Sequence, residues 1–119
     1  MKIAVYGTLK SAFALDNSCV LLGAGTVPGR LFRVTGTFFP TVVLGDGVVH
    51  VDTFEVPDDY LPRLDRYEGV ASDLFSRVQV TICLNSGEEV TAYLYVAGEN
   101  LTLKANNGSF EEIVSGVWE

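Results

Sequence analysis

Histidine occurs once in this 119-residue chain, cysteine twice, and Lys and Arg together only 8 times against 15 Asp and Glu. Each scarcity removes a class of function. With a formal net charge of −7, the chain lacks the basic surplus that gripping a phosphate backbone requires, so no nucleic acid is expected among its partners. Ser-His-Asp and Cys-His chemistry both need an imidazole, and His50 sits between Val49 and Val51 in a predicted strand, where a structural or surface role is expected. No His/Cys/Asp cluster has zinc spacing and no glycine-rich phosphate loop precedes a helix, so neither metal nor cofactor is expected. Cys19 and Cys83 cannot build a disulfide framework and read as ordinary half-buried thiols. No apolar run approaches the ~20 residues needed to span a bilayer. The opening Met1 to Val5 reaches a Tyr-Gly turn too early for a signal peptide. A cytoplasmic protein with no membrane partner is the expectation.

What is present is core material. At 48% hydrophobic and 19% charged residues, the chain is too apolar for disorder, and its length suits a single domain over residues 1–119. Lys2 to Val5 reads as a short buried strand. Lys10 to Asn17 could hold a short helix or a loop. Val20-Leu21-Leu22 is broken by Gly23 and Gly25, and a β-rich stretch from Thr26 to Val34 carries a bend or bulge at Pro28-Gly29. Gly45-Asp46-Gly47 reads as a hairpin turn between Phe38–Leu44 and a strand from Val48 to Val56. Tyr60, Leu61, Leu64 and Tyr67 recur at helical spacing, with Pro62 making the first turn irregular and Gly69 stopping the helix. Two more strands, Phe75–Leu84 and Glu88–Val96, flank Asn85-Ser86-Gly87. The tail from Ala97 to Gly108 reads as loop, and Ser109-x-x-Glu112 as a capping box opening a helical turn. The fold class is α+β: mostly antiparallel strands with one principal helix, curled into a small barrel whose mouth is open to a ligand.

The remaining chemistry is carboxylate and backbone chemistry. A strand ending in the glycine turn of Val5-Tyr6-Gly7-Thr8-Leu9 frees successive N–H groups that can point at an anion or a developing oxyanion. Its bland counterpart is a plain strand-to-loop turn with Tyr6 in the core. Glu68 ends the predicted helix beside an aromatic residue and a glycine. The helix dipole and apolar neighbours both push such a carboxyl toward the range of a general base. The bland alternative there is an exposed Glu on a surface turn. Asp65 is expected on the solvent side or paired with Arg63 or Arg66.

Four segments in order resemble the γ-glutamylcyclotransferase-like family, which includes γ-glutamylamine cyclotransferases and AIG2-like proteins. They are Val5-Tyr6-Gly7-Thr8-Leu9, Leu64-Asp65-x-x-Glu68-Gly69, Ala92-Tyr93-Leu94-Tyr95-Val96 and Ile113-Val114-Ser115-Gly116-x-Trp118. Phe75-x-Arg77 is similar to the family's aromatic-x-Arg element. The resemblance implies a small β-barrel with flanking helices and release of 5-oxoproline from a γ-glutamyl amine or γ-glutamyl peptide. It further implies that Tyr6, Gly7, Thr8 and Leu9 hold the γ-glutamyl group and that Glu68 is the general acid/base. The expected partner is then a small-molecule γ-glutamyl substrate, with the protein a monomer or weak homodimer. A non-catalytic module that keeps the fold and binds a small molecule is the alternative.

Overall fold

A computed structural model describes residues 1–7, 9–37 and 39–118. Its strands are β1 (Lys2–Val5), β2 (Val20–Arg33), β3 (Pro40–Glu55), β4 (Phe75–Leu84), β5 (Glu89–Ala97) and β6 (Glu111–Glu112). The helices are α1 (Leu9–Ala14), α2 (Leu61–Tyr67) and α3 (Glu99–Asn106), with single 3-10 turns at Asp58–Tyr60 and Val70–Ser72. In the sheet, β3, β1, β5, β4 and β2 follow one another, and β2 pairs again with β3, which closes the barrel. β6 extends the outer part of β2. All pairings are antiparallel except β1 with β5. The expected α+β barrel is therefore the fold. Among the described residues no helix is long and apolar enough to cross a membrane.

Alternation along the strands sorts the apolar residues into two clusters, as the two-residue period of a strand requires. Ala4 and Tyr6 of β1 join Val27, Val42, Val51 and Leu94 in one cluster. Ile3 and Val5 join Phe13, Phe54, Leu64 and Leu101 in the other, beneath the helices. Neither cluster would form from half a barrel, because each draws on strands from both ends of the chain. β2 also meets β4, where Gly25 pairs with Leu84. A Cβ at Gly25 would stand 2.5 Å from the Cys83 carbonyl oxygen, so only glycine lets the two backbones meet there.

Several local expectations fail. Gly45-Asp46-Gly47 is not a hairpin turn: β3 runs through it unbroken, and the segment is absorbed where β2 shifts register between Pro28 and Gly29. The chain instead passes from β2 to β3 between Arg33 and Pro40, where Thr37 N–H donates to the Val34 carbonyl at 3.2 Å, and Phe38, the expected start of the second strand of that hairpin, lies outside the described residues. Gly23 likewise makes an irregularity within β2 rather than ending it. The tail is not a loop, since α3 forms over Glu99–Asn106 and buries Leu101 and Ala105. Nor does Ser109 open a helix. Its N–H bonds back to Asn107 Oδ1 at 3.0 Å, and Glu111 and Glu112 enter β6 opposite Arg33 and Phe32. Ion pairs of Arg33 with Glu111 and Arg30 with Glu112 accompany that pairing. Cys19 is half-buried as expected, whereas Cys83 is exposed because it sits on the outward phase of β4.

Candidate active site

The segment before α2 begins with a 3-10 turn at Asp58–Tyr60. Pro62 then falls in the first turn of α2, where a missing N–H leaves no bond unmade. Leu64 is buried and holds the helix on the outer cluster. The helix stops at Glu68, whose N–H donates to the Leu64 carbonyl at 2.9 Å. Gly69 follows at φ 68°, a left-handed conformation that glycine adopts without strain. That reversal brings the chain back, with Leu74 N–H donating to the Gly69 carbonyl at 3.1 Å. The consequence is a carboxyl group set at the end of a helix and aimed across the barrel rather than along its surface.

What it faces is the end of β1. A cavity of about 270 Å³ is lined by Val5, Tyr6, Gly7 and Leu9, by Tyr95 of the neighbouring strand β5, and by Glu68. This is at the small end of the ~300–1,000 Å³ typical of small-molecule sites. Three of the four expected substrate-holding residues, Tyr6, Gly7 and Leu9, thus share one cavity with Glu68. Thr8 lies outside the described residues. Gly7 is close to Pro40, whose Cγ is 3.1 Å from the position a Gly7 Cβ would take. Any side chain there would press into the wall. His50 is exposed and on another part of the barrel, its N–H donating to the Gly116 carbonyl at 2.8 Å. Among the described residues no group of His, Cys, Asp and Glu is arranged to hold a metal ion.

Glu68 is the one carboxyl group among the described lining residues. Burial raises its pKa to about 7, because a carboxylate removed from water loses hydration that apolar neighbours do not replace. Its place at a helix C-terminus acts in the same direction. Tyr6 is buried and donates its hydroxyl to the Tyr95 carbonyl at 2.7 Å. Burial first, and the nearby charge of Glu68 second, push the Tyr6 phenol far above its usual range. Tyr6 therefore stays protonated at every working pH.

A second group of residues was not legible as a unit in the sequence. Arg77 of β4 pairs in register with Tyr95 of β5, so both side chains leave the sheet on the same face. The Tyr95 hydroxyl donates to Asp65 Oδ1 at 2.6 Å, and Arg77 donates to Asp65 Oδ2. Asp65 is accordingly neither at the solvent side nor paired with Arg63 or Arg66, as expected above. It is turned inward by the half-buried guanidinium of Arg77, on the next strand of the chain. Arg63 instead stacks over the Tyr60 ring at 4.5 Å. Burial and the bond to Asp65 also raise the Tyr95 phenol. A signal for the cluster existed. Asp65 stands three residues before Glu68, on the same helix face, and Arg77 and Tyr95 both fall on the phase of their strands that meets it.

The comparisons with known proteins bear on the family and the fold. The family described as gamma-glutamyl cyclotransferase, AIG2-like, matches residues 3–119. A protein of Methanocaldococcus jannaschii, provisionally named a gamma-glutamylcyclotransferase, is 29% identical over 117 residues, covering 92% of this chain and 95% of its own. Among solved structures, protein ytfP of Escherichia coli superposes with a TM-score of 0.70 at 23% identity, covering 99% of this chain and 96% of its own. A gamma-glutamyl cyclotransferase superposes with a TM-score of 0.68 at 16% identity, covering 94% of this chain and 70% of its own. At those identities the structures speak for the fold. The match over nearly every residue, together with a barrel that brings Tyr6, Gly7 and Glu68 to one cavity, places this chain in the gamma-glutamyl cyclotransferase, AIG2-like family.

Proposed function

We propose that the chain is a γ-glutamylcyclotransferase that releases 5-oxoproline and an amine from a γ-glutamyl amine or γ-glutamyl peptide. The observation that carries this reading is the meeting of Glu68 with the Tyr6–Leu9 segment across one small cavity. The reaction needs little else. A γ-glutamyl group carries its own nucleophile, the α-amine, placed to close a five-membered ring on its own side-chain carbonyl. Folding it into the ring geometry removes most of the entropic cost, a contribution of ~7–11 kcal/mol in favourable cases.

Glu68 in its ionised form takes a proton from the α-ammonium. The freed amine attacks the γ-carbonyl carbon, forming the ring C–N bond and placing negative charge on the former carbonyl oxygen. Backbone N–H groups of the Tyr6–Leu9 segment receive that oxyanion. The protonated Glu68 then gives its proton to the departing nitrogen, and the old C–N bond breaks as the carbonyl re-forms. The ring nitrogen loses a second proton by the same route. Both protons finish on the leaving amine, which departs as an ammonium, and Glu68 returns to its starting state. A pKa of about 7 suits a group that must accept and donate within one cycle at neutral pH.

The test is release of 5-oxoproline from a panel of γ-glutamyl compounds, run beside Glu68→Gln. Product that disappears in the variant supports the reading. Product that persists at near-normal rate removes Glu68 from the mechanism. No product from any compound, with ligand binding retained, assigns the chain to the non-catalytic binding modules instead.

A further inference from the structure

A second hollow, of about 290 Å³, shares none of its described lining residues with the cavity of Glu68. Its walls come from three stretches of chain: Gly29 to Leu31 of β2, Asp46 to Val48 of β3, and Glu112 to Val114 at and just beyond β6. The β2–β3 register jumps there from Pro28–Val48 to Gly29–Leu44, so Gly45, Asp46 and Gly47 are extra residues on the β3 side. A bulge of this kind bends the strand and re-aims its side chains. Gly47 lies so close to β2 that a Cβ on it would stand 2.7 Å from the Gly29 carbonyl oxygen. The third wall is pinned from both sides. Ile113 N–H donates to the Leu31 carbonyl at 2.7 Å, and the Gly116 carbonyl accepts from His50 N–H at 2.8 Å. The hollow is therefore built into the fold, not left between loose ends.

We infer that this hollow binds a small organic ammonium ion carrying a short alkyl chain. Its charged lining is one guanidinium, Arg30, and two carboxylates, Asp46 and Glu112. Arg30 and Glu112 neutralise each other at 2.7 Å, and the Arg30 guanidinium also sits over the Phe32 ring at 5.1 Å. Asp46 has no ion-pair partner among the described residues, so the lining keeps an excess of negative charge. In the same walls Val48 and Val114 are 54% and 87% exposed, and Ile113 continues the apolar side. An ammonium group there meets the Asp46 carboxylate, while its alkyl chain covers valine surface from water. A carboxylate ligand would face Asp46 with Arg30 already engaged, and a neutral alcohol would leave the excess charge unmatched. Glu68 takes no part, so the site stands whether or not the chain is a cyclotransferase.

The measurement is an NMR titration of the backbone amides of the whole chain with butylammonium, methylammonium, butanol and butyrate, at constant ionic strength. Butylammonium is expected to give saturable shifts at Asp46, Gly47, Val48 and Val114, with a dissociation constant of about 1 mM. Methylammonium, without the chain that covers the valines, should bind at least about fivefold more weakly. Butanol and butyrate should not saturate. Asp46→Asn, a change on an exposed side chain, should weaken butylammonium by about fivefold while leaving the melting temperature near that of the parent. Amides that do not move, or that move as much with sodium chloride, overturn the inference. Butanol or butyrate binding as tightly as butylammonium overturns it as well, a comparison that needs no variant. So does a butylammonium affinity unchanged in Asp46→Asn.

Discussion

Arg77 and Tyr95 stand opposite each other on neighbouring strands, and both donate to the one carboxylate of Asp65. Asp65 lies on α2, three residues ahead of Glu68, so this contact ties the helix that carries Glu68 to the β4–β5 sheet.

Arg77→Met should therefore cost about 1–2 kcal/mol of stability, between the values for exposed and buried pairs. It should also change the acid limb of the pH–rate profile. Losing a nearby cation alone would raise the Glu68 pKa. Releasing α2 admits water to Glu68 and lowers it. A limb displaced downward from about 7 identifies anchoring as the dominant effect, and Arg77→Lys should keep the limb close to its original place.

Glu68→Gln should fold as the parent does and at neutral pH melt no lower, because the amide fills the same space without a charge to bury. Turnover should drop by about 10²–10⁴, the usual contribution of a positioned acid/base. Circular dichroism melting and 5-oxoproline release on the same preparation check both halves.

Stability should carry the signature of Glu68 as pH rises. A carboxyl whose folded pKa is raised binds its proton more tightly in the native state than in the unfolded one. Between about pH 4.5 and 7 the native state then holds more protons, so stability falls through that window and levels off above it. Subtracting the Glu68→Gln curve from the parent curve isolates this slope, and a difference that rises with pH would contradict the burial of Glu68.

Tyr6→Phe removes the buried hydroxyl that donates to the Tyr95 carbonyl. The expected loss is about 1–2 kcal/mol, read as a lower urea midpoint with an unchanged m-value.

The elements that sequence made legible are those whose signal is local. Lys2–Val5, Phe75–Leu84 and the stop at Gly69 follow from alternation, apolar content and a helix end. The barrel followed from strand count and apolar excess, and Glu68 stood out through its helix-end position. What failed was decided at a distance. Gly45-Asp46-Gly47 has turn chemistry, but β2 is long enough to pair on both sides of it, and ladder bonds outweigh the turn preference. Residues 99–106 look polar, yet Leu101 and Ala105 are spaced one helical turn apart and both are buried, Leu101 in the cluster beneath the helices. Ser109 and Glu112 match a capping box, but Glu111 and Glu112 meet Arg33 and Arg30 across a strand pairing no local rule could foresee. Asp65 was assigned to nearby arginines for the same reason, its true partner lying on β4.

The parallel contact of β1 with β5, at Ile3 and Tyr93, has a temporal consequence. β1 is made before the other strands of this barrel, yet its second edge is covered only when Glu89–Ala97 has been made. Until then a nascent chain carries a bare strand edge and an incomplete cavity, since Tyr95 supplies both the acceptor for Tyr6 and the donor to Asp65. Closure of so non-local a ring belongs to the slower, millisecond-to-second regime of small domains. The capacity to bind therefore appears late, and a chain stalled before β5 would have Glu68 and the end of β1 but neither the Tyr95 wall nor the hydroxyl that helps to hold α2 in place.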